Sequence, residues 1–142
     1  VIYSLNIGYW VGFVEFPRFA NLVKLSFESK TKQGWKVLTI MLKNSPKLET
    51  LVLKGLRFIN GPRGVCVKMH TVKVLEIYGY RGSRKELRQL ERFLCRTDSP
   101  LRVMKVQFDA RIEDDDMKLQ LTKDDLLALV PKCQSSCQIQ FL

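Results

Sequence analysis

The run Leu48-Glu49-Thr50-Leu51-Val52-Leu53-Lys54-Gly55-Leu56 sets its first apolar residues in the spacing L-x-x-L-x-L. Side chains alternate across an extended chain, so Leu51 and Leu53 share one face while Thr50, Val52 and Lys54 share the other. Two apolar side chains per strand cannot close a core, so the pattern gains structural meaning only by recurring. It does recur, as Leu22-Leu25-Phe27, Val72-Leu75-Ile77 and Leu101-Met104-Val106, at successive intervals of 26, 24 and 29 residues from Leu22. A weaker copy, Ile2-Leu5-Ile7, lies near the start, and Ile139 with Phe141 supply the end of another.

A parallel neighbour is reached only through a crossover of about a dozen residues or more, and the intervals provide that length. From Gly34 to Asn44, the side chains of Trp35, Leu38, Ile40, Met41 and Leu42 crowd one side of a predicted helix that Asn44-Ser45-Pro46 ends. A second helix is predicted from Ser83 to Arg96: Ser83 and Glu86 have capping-box spacing, and Leu87, Leu90, Phe93 and Leu94 fall on one face. A third, short helix runs from Thr122 through Leu126, Leu127 and Leu129 to Val130, closed by Pro131. Residues 56–70 carry Gly61-Pro62 and Gly64 and read as loop. The expected fold class is therefore α/β: a leucine-rich-repeat solenoid whose parallel β-sheet carries outer helices in a right-handed β-α superhelix. Repeats fill residues 1–110, and residues 111–142 supply an acidic linker, the short helix and a C-terminal capping strand. Trp10, Phe13, Phe16 and Phe19 read as core residues filling the bend after the first strand, and Phe58 and Tyr80 as similar cases.

These residues resemble a known family, the plant F-box proteins that carry leucine-rich repeats and a C-terminal FBD region. Gly34-Trp35-Lys36-Val37-Leu38 through Leu42, followed by Asn44-Ser45-Pro46-Lys47-Leu48-Glu49-Thr50-Leu51-Val52-Leu53-Lys54-Gly55-Leu56, is similar to the family's G-W-x-x-L-x-x-L-L-x-N-S-P-x-L-E-T-L-V-x-K-G-L. Val72-Lys73-Val74-Leu75-Glu76-Ile77-Tyr78-Gly79-Tyr80-Arg81-Gly82, then Glu86-Leu87 and Phe93-Leu94, resembles a second block, and Ser136-Cys137-Gln138-Ile139-Gln140-Phe141 resembles the family's closing S-x-x-C-x-I-Q. The resemblance covers about residues 17–142 and places an FBD-like region at about 66–142. Met69-His70 departs from it, standing where members often have Cys or Ser with Pro, and Glu113-Asp114-Asp115-Asp116 falls in a variable stretch. It implies an upstream F-box, absent from this chain, docking on the adaptor of a cullin-RING (SCF-type) ubiquitin ligase, while the repeats capture the protein to be ubiquitylated. Chemistry in such a complex belongs to other subunits.

Composition narrows the alternatives. Of 142 residues 46% are hydrophobic, too many for a disordered chain and enough for one continuous core. Lys and Arg number 24 against 14 acids, a net charge of +10 and a pI near 9.7, which suits an acidic protein surface, a phosphate backbone or an anionic membrane. The surplus is uneven, with 20 basic against 8 acidic residues in 1–110 and 4 against 6 in 111–142. No apolar run approaches the roughly 20 residues that span a bilayer, and no signal-peptide pattern opens the chain, so a soluble protein of the cytoplasm and/or nucleus with no membrane partner is expected. Val1 begins inside a strand-like pattern without an initiator Met, which points to a fragment or processed product. Cys66, Cys95, Cys133 and Cys137 contain no C-x-x-C pair, so neither a zinc ribbon nor a redox dithiol is indicated, and reduced thiols are expected.

Catalysis finds little to work with: His70 is the single histidine, and no nucleophile elbow, zinc-protease or Walker motif surrounds it. No cofactor and no metal are expected, since Glu113 to Asp116 are contiguous rather than spaced as in a calcium loop, and Cys133 and Cys137 have no second ligand pair. Arg81, Arg84, Lys85, Arg88 and Arg92 include helical neighbours that form a candidate anion-binding stripe, set against the simpler reading of a solvated helix face. Nucleic acid is disfavoured there because Phe93, the one aromatic available for stacking, belongs to the core pattern. The partner-binding residues are expected on the concave strand face: Lys24, Ser26 and Glu28; Thr50, Val52 and Lys54; Val74, Glu76 and Tyr78; Val103, Lys105 and Gln107. Tyr78 beside Val52 and Val74 is the expected anchor. The leading reading is a non-enzymatic substrate-recognition module; the alternative is a basic repeat scaffold that binds RNA or an acidic protein independently of ubiquitin.

Overall fold

The computed structural model describes residues 2–7, 18–29, 34–57, 71–95 and 100–142. Six strands, β1 (Ile2–Ile7), β2 (Lys24–Ser29), β3 (Thr50–Lys54), β4 (Val74–Tyr80), β5 (Val103–Phe108) and β6 (Gln138–Phe141), form one sheet in sequence order with every pairing parallel. Helix α1 (Gly34–Lys43) lies between β2 and β3, α2 (Arg84–Leu94) between β4 and β5, and α3 (Ala110–Glu113) with α4 (Asp116–Lys132) between β5 and β6. The molecule is thus α/β with a parallel sheet and helical crossovers. No described helix is long and apolar enough to cross a membrane.

The register stacks the leucine pattern on itself. Leu25, Leu51, Leu75, Met104 and Ile139 form one row across β2 to β6, and Phe27, Leu53, Ile77, Val106 and Phe141 form the next. From β2 to β5 every member of both rows is buried, and the leading residues Leu22, Leu48, Val72 and Leu101 complete the same core. A recurring hydrogen bond sets the step between repeats. The carbonyl of Val23 accepts from the N–H groups of Glu49 and Thr50, that of Glu49 from Lys73 and Val74, and that of Lys73 from Arg102 and Val103, each at 2.8 to 3.2 Å. The Arg102 carbonyl continues the series by accepting from Gln138. Strand β1 departs from the expected alignment: Tyr3 pairs with Leu25 and Leu5 with Phe27, two residues along from the Ile2-Leu5-Ile7 reading. A slide of two preserves which side chains face which way, so alternation alone cannot tell the two registers apart.

The crossovers close the core from one side. On α1, Trp35, Val37, Leu38, Met41 and Leu42 are buried; the Trp35 ring packs 5.5 Å from that of Phe27, and its indole N–H donates to the Arg57 carbonyl at 2.7 Å. Ile40, expected on the packed side, is exposed. Helix α2 begins as its sequence predicts, with Ser83 Oγ accepting the Glu86 N–H and Glu86 Oε1 accepting the Ser83 N–H. The buried Glu86 is further satisfied because its other oxygen takes the Arg81 N–H at 3.1 Å.

Gly79 redirects the end of β4. Tyr78 pairs with Gln107 but Tyr80 pairs with Phe108, so Gly79, at φ +74°, is an extra residue on its strand. Without it, alternation would send Tyr80 to the same face as Tyr78; with it, Tyr80 turns into the core, fully buried, its ring 6.0 Å from Phe108. Its hydroxyl has no hydrogen-bond partner among the described residues.

The last crossover differs most from expectation. Glu113 to Asp116 are not a linker: Glu113 ends α3, Asp115 caps α4 by accepting the Lys118 N–H, and Asp116 begins α4. Helix α4 spans 17 residues rather than the nine of 122–130, and Pro131 sits inside its last turn. The run is largely solvent-exposed, and within it Asp115 and Asp116 sit at the start of α4, where the helix dipole favours negative charge. Thr122, Leu126 and Leu129 are buried, and Gly82 lies so close beneath Thr122 that a Cβ there would come within 2.9 Å of its methyl group.

The expectation of reduced thiols is also corrected. Cys95, the C-cap of α2, and Cys133, the C-cap of α4, form a disulfide with their Cα atoms 4.5 Å apart. Thirty-eight residues separate them in sequence, and helix packing alone brings them together. A bridge of this span contributes about 4 kcal/mol in the chain-entropy description. Beside it Lys132 Nζ and Glu91 Oε1 pair at 2.9 Å. Cys137 is free and buried. Trp10, Phe13, Phe16, Phe58, Cys66 and His70 lie outside the described residues.

Replacing Leu51 or Leu75 by Ala empties a fully buried row position and should cost about 2–5 kcal/mol, whereas Ile40→Ala should change stability by less than about 0.5 kcal/mol; urea denaturation compares the three. Tyr80→Phe removes an unpartnered buried hydroxyl and should leave stability unchanged or raise it by about 1 kcal/mol.

Candidate functional site

The alternation that buries the leucines turns the intervening residues to the sheet face opposite the helices, and the parallel register aligns them in rows. Lys24, Thr50, Val74, Val103 and Gln138 form the first, and Ser26, Val52, Glu76, Lys105 and Gln140 the second. In the third, Lys54, Tyr78 and Gln107 are adjacent, with Glu28 at the corresponding end of β2. All twelve expected partner-facing residues therefore come to one face. Lys54 and Gln107 are exposed, and Val52 is buried; the others are half-buried. Gln138 and Gln140 on β6 are exposed on the same face. The same alternation, extended past Ile139, identifies them, but only Ile139 and Phe141 carry an apolar signal.

Val52, expected beside the Tyr78 anchor as part of the open surface, is the exception. It is 6% exposed because Lys24 Nζ on β2 and Glu76 Oε2 on β4 pair at 3.7 Å across the intervening strand, over the position Val52 occupies. Tyr78 donates its hydroxyl proton to Glu76 Oε1 at 2.9 Å. The hydrogen bond to Glu76, with partial burial and the Glu76 charge behind it, raises the Tyr78 phenol above its ordinary 10.0. The centre of the face is thus a polar bridge rather than an apolar patch, with Val74, Val103 and the Tyr78 ring as its half-buried apolar surface. Of the cations on it, Lys24 is committed to Glu76.

Four members of the candidate basic stripe lie on α2, and Arg81 stands apart from them. Arg81 lies before α2 and pairs through Nε with Asp109 Oδ2 at 3.6 Å. Asp109 caps α3 by accepting the Arg111 N–H, and that bond, aided by the Arg81 and Arg111 charges, holds its carboxyl below the usual carboxylate range. Arg84, Lys85 and Arg88 are exposed on α2, and Arg92 is half-buried one turn beyond Arg88. Among the described residues no three metal-ligating side chains cluster.

Glu76→Gln removes the charge and most of the acceptor strength that hold the Tyr78 proton, so the Tyr78 titration, followed by phenolate absorbance, should fall toward 10.0. A raised phenol contributes stability below the unfolded-state value that is lost as pH rises through the folded-state one. Wild type should therefore lose more stability than Glu76→Gln as pH rises above about 10.

Comparison with known proteins places this geometry in context. Over 129 residues, 91% of the chain, it is 53% identical to an F-box/LRR-repeat protein of Arabidopsis thaliana, of whose length the match covers 28%. Two further Arabidopsis F-box/LRR-repeat proteins are each 39% identical, one over 96% of the chain and 32% of the relative, the other over 87% and 27%. The chain thus spans under a third of the length of these relatives. No family model and no solved structure matches it. With identity at this level across nearly the whole chain, it belongs to the plant F-box/LRR-repeat protein family.

Proposed function

We propose that this chain is the substrate-recognition part of an SCF-type ubiquitin ligase F-box protein, a non-enzymatic module acting in the cytoplasm and/or nucleus. In this reading residues 1–110 are repeats of a leucine-rich solenoid, and the FBD-like stretch at about 66–142 closes its end. A protein substrate lies across the strand face, and the ligase adaptor is held by an F-box elsewhere in the parent protein. The observation that carries the reading is the alignment of polar, aromatic and charged side chains in continuous rows over β2 to β6. Such a surface sets the half-buried Val74, Val103 and Tyr78 ring around a polar bridge, with exposed Lys54 and Gln107 beside them, a mixture of apolar, aromatic and charged groups that suits a protein partner. The names of the Arabidopsis relatives support the ligase context.

The exposed Arg84, Lys85 and Arg88 favour a second reading, in which the basic helix face binds RNA or an acidic protein without ubiquitin. Salt separates the two, since phosphate contacts lose affinity steeply with ionic strength and an interface centred on the sheet does not.

Ubiquitin-remnant profiling in cells expressing the full-length parent protein identifies candidate substrates, and binding of one to the purified protein then tests the surface. Tyr78→Ala combined with Lys54→Glu should weaken capture at least about tenfold while leaving adaptor binding unchanged. Capture untouched by that pair but abolished by Arg84→Glu with Lys85→Glu, and lost steeply with salt, would establish the second reading instead.

A further inference from the structure

The cysteine bridge occupies a particular place. It joins the C-caps of two helices that belong to successive crossovers, and so fastens α4, which leads into the last strand, to α2. Cys95 is exposed and Cys133 half-buried, so a small thiol or disulfide can reach the bond from solvent. Cys95 lies outside the buried core and Cys133 packs half-buried against its edge, while the core itself runs from Leu22 to Cys137 on apolar contacts. The reduced state is also provided for: Cys133 Sγ lies 3.9 Å from the Glu91 carbonyl, an acceptor for its S–H once the bridge opens. Lys132 Nζ and Glu91 Oε1, 2.9 Å apart, pair across the same two helix ends without involving either sulfur.

We propose that Cys95 and Cys133 form a reversible thiol–disulfide modification site that sets how tightly the C-terminal unit, α4 and β6, is fastened to the rest of the sheet. Closing the bridge oxidises two thiols, which give up two protons and two electrons to a low-molecular-weight disulfide such as oxidised glutathione, released as two thiols. Opening reverses the exchange and consumes two thiols. Cys137, four residues from Cys133, stays out of this exchange: it is 4% exposed, and burial pushes its thiol up to about 11. The site thus has one pairing to make among Cys95, Cys133 and Cys137. Fastening matters at this position because α4 rests on the turn at Gly82 and supplies Leu126 and Leu129 to the core.

The test uses the 142-residue chain equilibrated in oxidised or reduced glutathione, with peptide mapping for the bridge and amide hydrogen exchange for its effect. A Cys95–Cys133 linked peptide should form under oxidised glutathione and disappear under reduced glutathione. Exchange across residues 116–133 should quicken about tenfold or more on reduction while β3 to β5 stay protected, and Cys95→Ser/Cys133→Ser should show the fast rate in both buffers. Three outcomes overturn the proposal: no linked peptide in the folded oxidised chain, α4 exchange indifferent to the redox buffer, or loss of protection throughout the sheet on reduction, which would make the bridge a structural staple.

Discussion

A single carbonyl per repeat, placed one residue after the leading apolar side chain, accepts N–H groups from the start of the following strand. Val23, Glu49, Lys73 and Arg102 occupy that place in turn. The bond fixes the translation from each strand to its neighbour, and with that step fixed the leucine rows are forced into line and the opposite face acquires rows of its own. Hydrophobic burial supplies most of the driving force, but it is indifferent to slides of two residues. The backbone bond is what selects one register among those that alternation allows.

Burial and recognition share this one geometry. The side chains that complete the core and those of the proposed partner face sit on the same strands with opposite parity, so a substitution on one row leaves the other in register. The Lys24–Glu76–Tyr78 bridge spans three strands on the open face, and it does there in polar terms what the leucines do beneath. Its partners hold one another in position, so the surface is shaped before anything binds it.

Much of this was legible in the sequence, for reasons that can be stated residue by residue. The strands from β2 to β5 and the two helices α1 and α2 followed from apolar spacing, Pro46 and the Ser83–Glu86 pair, all local signals. The placement of the twelve proposed partner-facing residues on one sheet face followed from alternation. Less visible were features created by tertiary packing. Val52 is apolar in a position of outward parity, and nothing nearby in sequence announces that Lys24 and Glu76, 52 residues apart, close over it. Cys95 and Cys133 meet because two helices of unequal length end at the same level, a coincidence that spacing cannot express. The acidic run is solvated as its composition suggests, but composition does not reveal that Asp115 and Asp116 begin α4, and Pro131, a stop signal in the sequence, sits in the final turn, where a helix carries proline when the lost bond is tolerated.

The strict sequence order of the strands has a kinetic consequence. Each crossover lands beside the strand it left, so every sheet contact joins neighbours along the chain, and folding resembles the closing of a zipper that can start at any adjacent pair. Such an array has little intrinsic coupling between its two ends, and its terminal teeth open first. If a protein lies across four or five strands as proposed, it grips many teeth at once, so occupancy converts a chain of loosely coupled units into one that opens all together or not at all.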